Sequence, residues 1–306
     1  SLDVARRMPE VDQAIELPFD HGELQLKKRW AFARTLRYSN YHRAFVLPNS
    51  LKSALIPAMA GIPRRIGWRG EYRYKLLTDL RILHETRFPR MIDRYMALGF
   101  PANLALSANQ LPEAPPLPQL AVDDASQAAL IKTHGLETTR LVGLCPGAEF
   151  GPAKQWPLDR FADLAKRLVD EGYQVLLLGS PNDAEDAALI MDQVPEPKRS
   201  EFVNLTGQTS IPEVVDLIGL TQAVVTHDSG LMHVAAATGR PLVALYGPSS
   251  PVHTPPLSES AVTLTHPVPC HPCFERECPL KHQACLSELS VDEVFQALVS
   301  QMNRLV

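Results

Sequence analysis

The sequence predicts an α/β protein of two domains, the second a doubly wound parallel sheet. Three observations carry this. From residue 141 onward, apolar strand-like runs alternate with amphipathic helical patterns, the signature of a parallel sheet covered on both faces. The stretch LPEAPPLPQL (111–120) holds four prolines, which resist helix and central strand alike, so it reads as a linker. The sign of the charge changes at the same place: residues 1–110 carry 18 Lys and Arg against 10 Asp and Glu, and residues 111–306 carry 12 against 24. The expected division is therefore 1–110, a linker at 111–120, and 121–306.

The first domain is the less regular. RAFVLPNS (43–50) reads as a buried strand ending in a turn, with a helix near 51–60 and another around 89–99. The chain opens on SLDVARRMPEVDQAIELP, with neither an initiator Met nor a leading apolar strand. A doubly wound domain ordinarily opens strand, turn, helix, so this domain is expected to begin upstream. In the second domain the strand-like runs are LVGLCP (141–146), YQVLLLGS (173–180), FVNL (202–205), AVVTHD (223–228) and PLVALYG (241–247). Helical patterns lie near 157–171, 182–193, 211–220 and 229–238, and 291–306 reads as one more amphipathic helix. This is a Rossmann-like order, and its ligand site belongs beyond the carboxyl ends of the strands.

Composition narrows the classes. Of 306 residues, 45% are hydrophobic and 21% charged, enough for two cores and unlike a disordered chain. No apolar run reaches the roughly 18 residues of a membrane span, and the opening lacks a secretory pattern; a soluble intracellular protein is the default expectation. The basic first domain, set against a net charge of −4 for the whole, points to an anionic partner or else to two differently charged solvated surfaces.

Candidate chemistry gathers at strand ends. In AVVTHDSGLMHVAAAT (223–238) a strand runs into a tight turn and straight into a helix. Ser229 or Asp228 is expected to cap that helix, and Gly230 permits close approach of backbone. The N–H groups of Gly230, Leu231 and Met232 then form an anion site suited to a pyrophosphate, aided by the helix dipole; DSG as a cap and nothing more is the competing reading. His233 lies close by. In CPGAEFGPAKQWPLDRF (145–161), Lys154 sits in a loop that is not a GxxxxGK[ST] phosphate loop, where it either neutralises a phosphate or is simply solvated. LLLGSPNDAED (176–186) offers Asp183 and Glu185 to a ribose, although helix capping by Asn182 or Asp183 explains them nearly as well.

Two further clusters stand out. IPRRIGWRGEYRYK (62–75) contains Arg64, Arg65, Arg69 and Arg73 among aromatics. One short loop without a recognition motif does not read as a nucleic-acid site; guanidinium forks facing carboxylates or phosphates of a small or glycolipid acceptor fit better. NSLKSA (49–54) places Asn49, Ser50 and Lys52 at a strand end beside them. Cys270, Cys273, Cys278 and Cys285 fall within 16 residues. They are candidates for a structural zinc or an iron–sulfur cluster, with disulfides or free thiols as alternatives.

HDSGLMHVAAATGRPLVALYGPSSP, PGAEFGPAKQWP, VLPNSLKSALIPAMAGIPRRIGWRG and ARRMPEV together resemble the ADP-heptose:lipopolysaccharide heptosyltransferases, nearest to the heptosyltransferase II members, over essentially the whole chain. The resemblance implies a GT-B fold: two Rossmann-like domains facing across a cleft, acceptor on the first and nucleotide sugar on the second, the first lacking its opening strand and helix here. It implies an inverting glycosyltransferase of Gram-negative lipopolysaccharide biosynthesis, cytoplasmic and peripheral to the inner membrane. The donor is ADP-heptose, the acceptor a Kdo-lipid A-type inner core bearing its first heptose, and catalysis needs no cofactor. A related enzyme acting on Kdo or on a later heptose is the alternative.

By the same resemblance, Asp228 lies near the heptose, the backbone of Ser229–Met232 on the diphosphate, and His233 beside them. Lys154 offsets charge on the leaving ADP. Thr206 and Gly207, in NLTG, neighbour the adenine, and Asp183 or Glu185 the ribose. Arg64, Arg65, Arg69, Arg73 and Lys52 face the acceptor, with Asn49 and Ser50. The family's general base, an Asp on a loop after the first strand, matches no segment and is expected upstream of Ser1. A donor-binding but inactive fragment is thus a further reading. An NAD-dependent oxidoreductase is a third, against which the absent GxGxxG weighs.

Overall fold

A computed structural model describes residues 2–19, 23–111 and 115–304. Residues 112–114 of the Pro-rich stretch and 305–306 of the C-terminal helical pattern lie outside the described residues. The chain forms two compact units, one of residues 15–116 and one of residues 2–14 with 117–304. Residues 2–14 thus join the second unit, where the expected division put them in the first. The physical cause is local. Arg7 Nη2 lies 2.7 Å from the fully buried Asp216 carboxylate, the Ala121 N–H donates to the Arg7 carbonyl at 2.8 Å, and Val4 and Met8 pack against Leu120, Val215 and Ala237.

In chain order the elements are α1 (Leu2–Arg6), α2 (Leu26–Arg37), β1 (Arg43–Phe45), α3 (Leu51–Met59), β2 (Arg64–Trp68), β3 (Asp79–Arg81) and α4 (Met91–Gly99). Strands β1–β3 form a parallel sheet in that order, with Ala44 opposite Arg65 and Gly67 opposite Leu80. Helix α3 follows β1 directly because Ser50 caps it, its Oγ accepting from the Ser53 N–H. The basic cluster around Arg64 is therefore half strand, not one loop.

The second unit continues with α5 (Asp124–His134), β4 (Leu141–Cys145), α6 (Leu158–Asp170), β5 (Gln174–Leu177), α7 (Ala184–Asp192), β6 (Phe202–Asn204) and α8 (Ile211–Leu220). It ends with β7 (Ala223–His227), α9 (Gly230–Ala237), β8 (Leu242–Tyr246), β9 (Ala261–Thr265), α10 (Ala284–Ser287) and α11 (Val291–Asn303). Its six parallel strands lie in the order β6-β5-β4-β7-β8-β9. Every residue of β4, β5, β7 and β8 is buried, as a sheet covered on both faces requires.

The two faces sort by the period of two. Val142, Leu144, Val175, Leu177, Val225, Val243 and Leu245 point into one core with Phe161, Leu164, Leu168, Ile190 and Leu298. Leu141, Cys145, Leu176, Val224, Leu242, Ala244 and Tyr246 point into the other with Leu130, Leu217, Met232 and Ala235. Helix α6 buries 161, 164, 165 and 168, an i, i+3, i+4, i+7 stripe. Helices α8 and α11 start at capping boxes, Ser210 with Glu213 and Ser290 with Glu293. Among the described residues no helix is long and apolar enough to cross a membrane.

Candidate functional site

Counted within its own unit, the strand order is 3-2-1-4-5-6, and it reverses between β4 and β7. At such a switch point the loops leaving adjacent strands diverge and open a crevice. Here the loops after β4, β5 and β7 line a cavity of about 990 Å³. Of the donor residues expected from sequence, Lys154, Asp183, Asp228, Ser229, Gly230, Leu231 and His233 line it.

The two loops meet in an ion pair. Lys154 Nζ lies 2.7 Å from Asp228 Oδ2 and 3.2 Å from the Asp228 carbonyl, both side chains being largely buried. Lys154 is held over the Phe150 ring at 4.8 Å, and Asp228 also accepts from the Thr254 hydroxyl at 3.3 Å. The lysine is thus neither solvated nor unpaired, but fixed at the mouth of the switch point.

The expected cap of α9 is absent. Ser229 occupies the N-cap with extended backbone (φ −144°, ψ 175°), but its side chain makes no capping hydrogen bond. Its Oγ lies 3.2 Å from Thr226 Oγ1, and the Asp228 carboxylate is engaged by Lys154 and Thr254. The first-turn N–H groups therefore carry no side-chain cap, which favours an anion there. An added Cβ at Gly230 meets no atom within 4 Å, so the backbone stands open on the cavity side. Met232 offers only its N–H: its side chain is fully buried, with the Tyr246 hydroxyl donating to Sδ at 3.2 Å.

His227 explains how the β4 loop is held. It is fully buried, its Nε2 accepting from the Trp156 N–H at 2.8 Å while Nδ1 lies 3.3 Å from the Gly147 carbonyl. Both contacts are satisfied by the neutral ring protonated at Nδ1, and burial pushes its pKa down to about 4. One imidazole thus pins both ends of the loop that carries Lys154. On the β5 side, Asp183 Oδ2 accepts from the Ser180 N–H and hydroxyl, each at 2.7 Å. Its carboxylate rests against Gly147, where an added Cβ would lie 2.3 Å from Cγ.

Three expected donor contacts stand apart. Glu185 is exposed and does not line the cavity. Thr206 is buried and Gly207 turns at φ +73° beneath Pro181; from that loop Thr209 reaches the lining instead, with Ile211 and Val214 of α8 beyond it.

In the first unit, Arg73 is 1% exposed, its guanidinium donating to the Pro48 carbonyl at 2.5 Å, to Asn49 Oδ1 at 2.9 Å and to the Trp68 carbonyl. Arg65 donates to the carbonyls of Ile62 and Leu76, each at 2.5 Å. Both are structural donors that hold strand and loop together, which corrects their expected place facing an acceptor. Arg64, Arg69 and Asn49 are exposed, Ser50 is the cap of α3, and Lys52 is half-buried on α3.

The sequence leaves the cysteine segment open between a metal site, disulfides and free thiols. All five cysteines are free, and among the described residues no group of three or more His, Cys, Asp or Glu is placed to hold a metal. The cysteine segment instead braces the site loop. The Ala153 N–H donates to the Arg276 carbonyl at 3.1 Å, and Gln283 Nε2 to the Pro152 carbonyl at 3.2 Å.

Residues 29–284 match the family model described as glycosyltransferase family 9 (heptosyltransferase). The chain belongs to glycosyltransferase family 9.

Within family 9 the chain is 50% identical over 256 residues to lipopolysaccharide heptosyltransferase 2 of Escherichia coli K12, spanning 83% of this chain and 74% of that protein. It is 44% identical over 298 residues to lipopolysaccharide heptosyltransferase 2 of Salmonella typhimurium LT2, spanning 97% and 86%. The solved structure of E. coli ADP-heptose lps heptosyltransferase II superposes with a TM-score of 0.88 at 41% identity, covering 99% of this chain and 87% of that one. The parallel α/β units are those of a GT-B glycosyltransferase, and this family 9 member is an enzyme. Sequence reasoning left His227 and Arg276 without a role. His227 sits inside a strand and finds its partners 71 and 80 residues away, so no local spacing marks it. Arg276 reaches the cavity from the cysteine segment, whose conspicuous feature in sequence is its four thiols.

Proposed function

We propose that this family 9 enzyme moves L-glycero-D-manno-heptose from ADP-heptose to the first heptose of the lipopolysaccharide inner core, by inverting single displacement. The observation that carries the reading is the fixed Lys154–Asp228 pair beside the uncapped start of α9, at the switch point of the sheet. The N–H groups of Gly230, Leu231 and Met232 take the diphosphate. Lys154 faces the bond that breaks, so its charge counts most as negative charge builds on the departing ADP. Asp228 orients that lysine and borders the heptose, with His233 beside it. Asp183 borders the ribose.

The acceptor falls to the first unit, where Arg64, Arg69 and Lys52 answer its phosphates and Kdo carboxylates and Asn49 and Ser50 its hydroxyls. An acceptor built on lipid A places the work at the cytoplasmic surface of the inner membrane.

The test is heptose transfer from ADP-heptose, followed by ADP release and product mass, on Kdo-lipid A with and without the first heptose. Release only with the heptose-bearing acceptor is expected, and Lys154→Ala should slow it by about 10²–10³-fold while melting as the wild type does. Release with the acceptor lacking heptose would transfer the assignment to the Kdo-acting alternative. No release with either acceptor overturns the reading.

A further inference from the structure

The ion pair that fixes Lys154 leaves a deficit. Among the ionisable side chains lining the cavity, Glu149, Asp183 and Asp228 are acidic, Lys154 and Arg276 are basic, and His233 is an imidazole that burial disfavours in its charged form. The charge of Lys154 is already answered by Asp228 at 2.7 Å. A diphosphate entering this cavity therefore meets one cation on the described lining that no carboxylate answers, Arg276, and dipolar N–H groups supply only a fraction of a charge.

Arg276 is placed to be that cation. It is exposed on the cavity wall, and among the described residues no carboxylate forms an ion pair with it. Its Cζ lies 5.4 Å from the Phe150 ring centroid, and the same ring carries Lys154 Nζ at 4.8 Å. One aromatic ring therefore holds both cations beside each other. The backbone is seated as well. The Arg276 carbonyl accepts from the Ala153 N–H, and an added Cβ at Gly151 would lie 2.6 Å from that oxygen. The segment that bears Arg276 is docked on the loop that bears Lys154, so the two charges share one position relative to the cavity.

We propose that Arg276 is a donor-binding residue, whose guanidinium grips the diphosphate of the nucleotide sugar while Lys154 serves the breaking bond. The assignment rests on the donor-site reading above. A planar fork suits two phosphate oxygens at once, which an ammonium does not. It also gives the cysteine segment a function: the segment carries this arginine to the site and braces the loop beneath it.

Calorimetric titration of ADP, AMP and adenosine into wild type, Arg276→Gln and Arg276→Lys tests this. Arg276 is exposed, so the variants should melt as the wild type does. Loss of one charged, two-pronged contact should weaken ADP about tenfold or more in Arg276→Gln, AMP less and adenosine not at all. Arg276→Lys should recover part of the loss, and added salt should weaken wild type more than Arg276→Gln. Wild-type ADP affinity in Arg276→Gln overturns the inference and leaves the donor site standing, as does an effect confined to the KM of the acceptor. A wild-type protein that binds no ADP overturns the donor-site reading itself.

Discussion

His227 couples charge state to loop geometry through a single ring. Its folded pKa of about 4 lies below that of a free imidazole, because burial disfavours the charged form. Between roughly pH 6.5 and 4 the unfolded chain takes up a proton that the folded chain refuses. The contribution of the neutral ring is therefore complete above the unfolded value and is lost as the pH falls towards 4, amounting to roughly 3 kcal/mol. His227→Gln should be less stable than wild type at pH 7, and the gap should narrow by about that amount at pH 4. Chemical denaturation of both proteins at the two values checks this; a gap independent of pH would show that the ring is not held neutral. The residue scale is also where sequence reading saw least. Arg73 and Arg65 look in the sequence like the other cations of their cluster. Only the folded chain shows them turned onto the carbonyls of Pro48, Trp68, Ile62 and Leu76.

At the scale of elements, the site is three loops held at fixed spacing by what they press against. Gly147 closes that spacing: the β4 loop meets the Asp183 carboxylate so tightly that no side chain fits between them. The carboxylate is tied down by two hydrogen bonds from Ser180, so it does not swing aside as a free side-chain end would. Gly147→Ala should therefore push the β4 and β5 loops apart, costing about 1–3 kcal/mol and weakening ADP while Lys154 and Asp228 are unchanged. Thermal melting together with ADP titration measures both, and wild-type values in the two would show that the loops are not in register there.

Legibility in sequence follows burial at this scale. Strands β4, β5, β7 and β8 stand out because burial on both faces makes each an unbroken apolar run. Strand β9 does not: it is an edge strand of half-buried residues, AVTLT. Helix α5 buries only Leu130, and so shows no clear stripe. The α9 turn was readable from its position after a strand, but its missing cap was not. Asp228 and Ser229 are both capping residues by type, and what diverts them is Lys154, 74 residues away, and Thr226.

The molecule as a whole forms two α/β units. Composition marks a change in charge balance near residue 110, with 18 basic against 10 acidic residues before it and 12 against 24 after it, but it does not show that residues 2–14 return to the second unit. The position of the site was legible too, since a doubly wound sheet has one switch point and the DSG turn and the Lys154 loop flank it. The assembly of the site was not, because its contacts join β4, β5, β7 and the cysteine segment across as many as 131 residues of chain in ways no local pattern records.

The donor's nucleotide is expected in this cavity and on no surface of the first unit. Amide hydrogen exchange with and without saturating ADP tests it most directly. Slowed exchange is expected in peptides covering 228–234 and 147–156, where free N–H groups and the Lys154 loop would meet the diphosphate, with residues 23–111 unchanged. Protection confined to 23–111, with 228–234 exchanging as in the free protein, would contradict it.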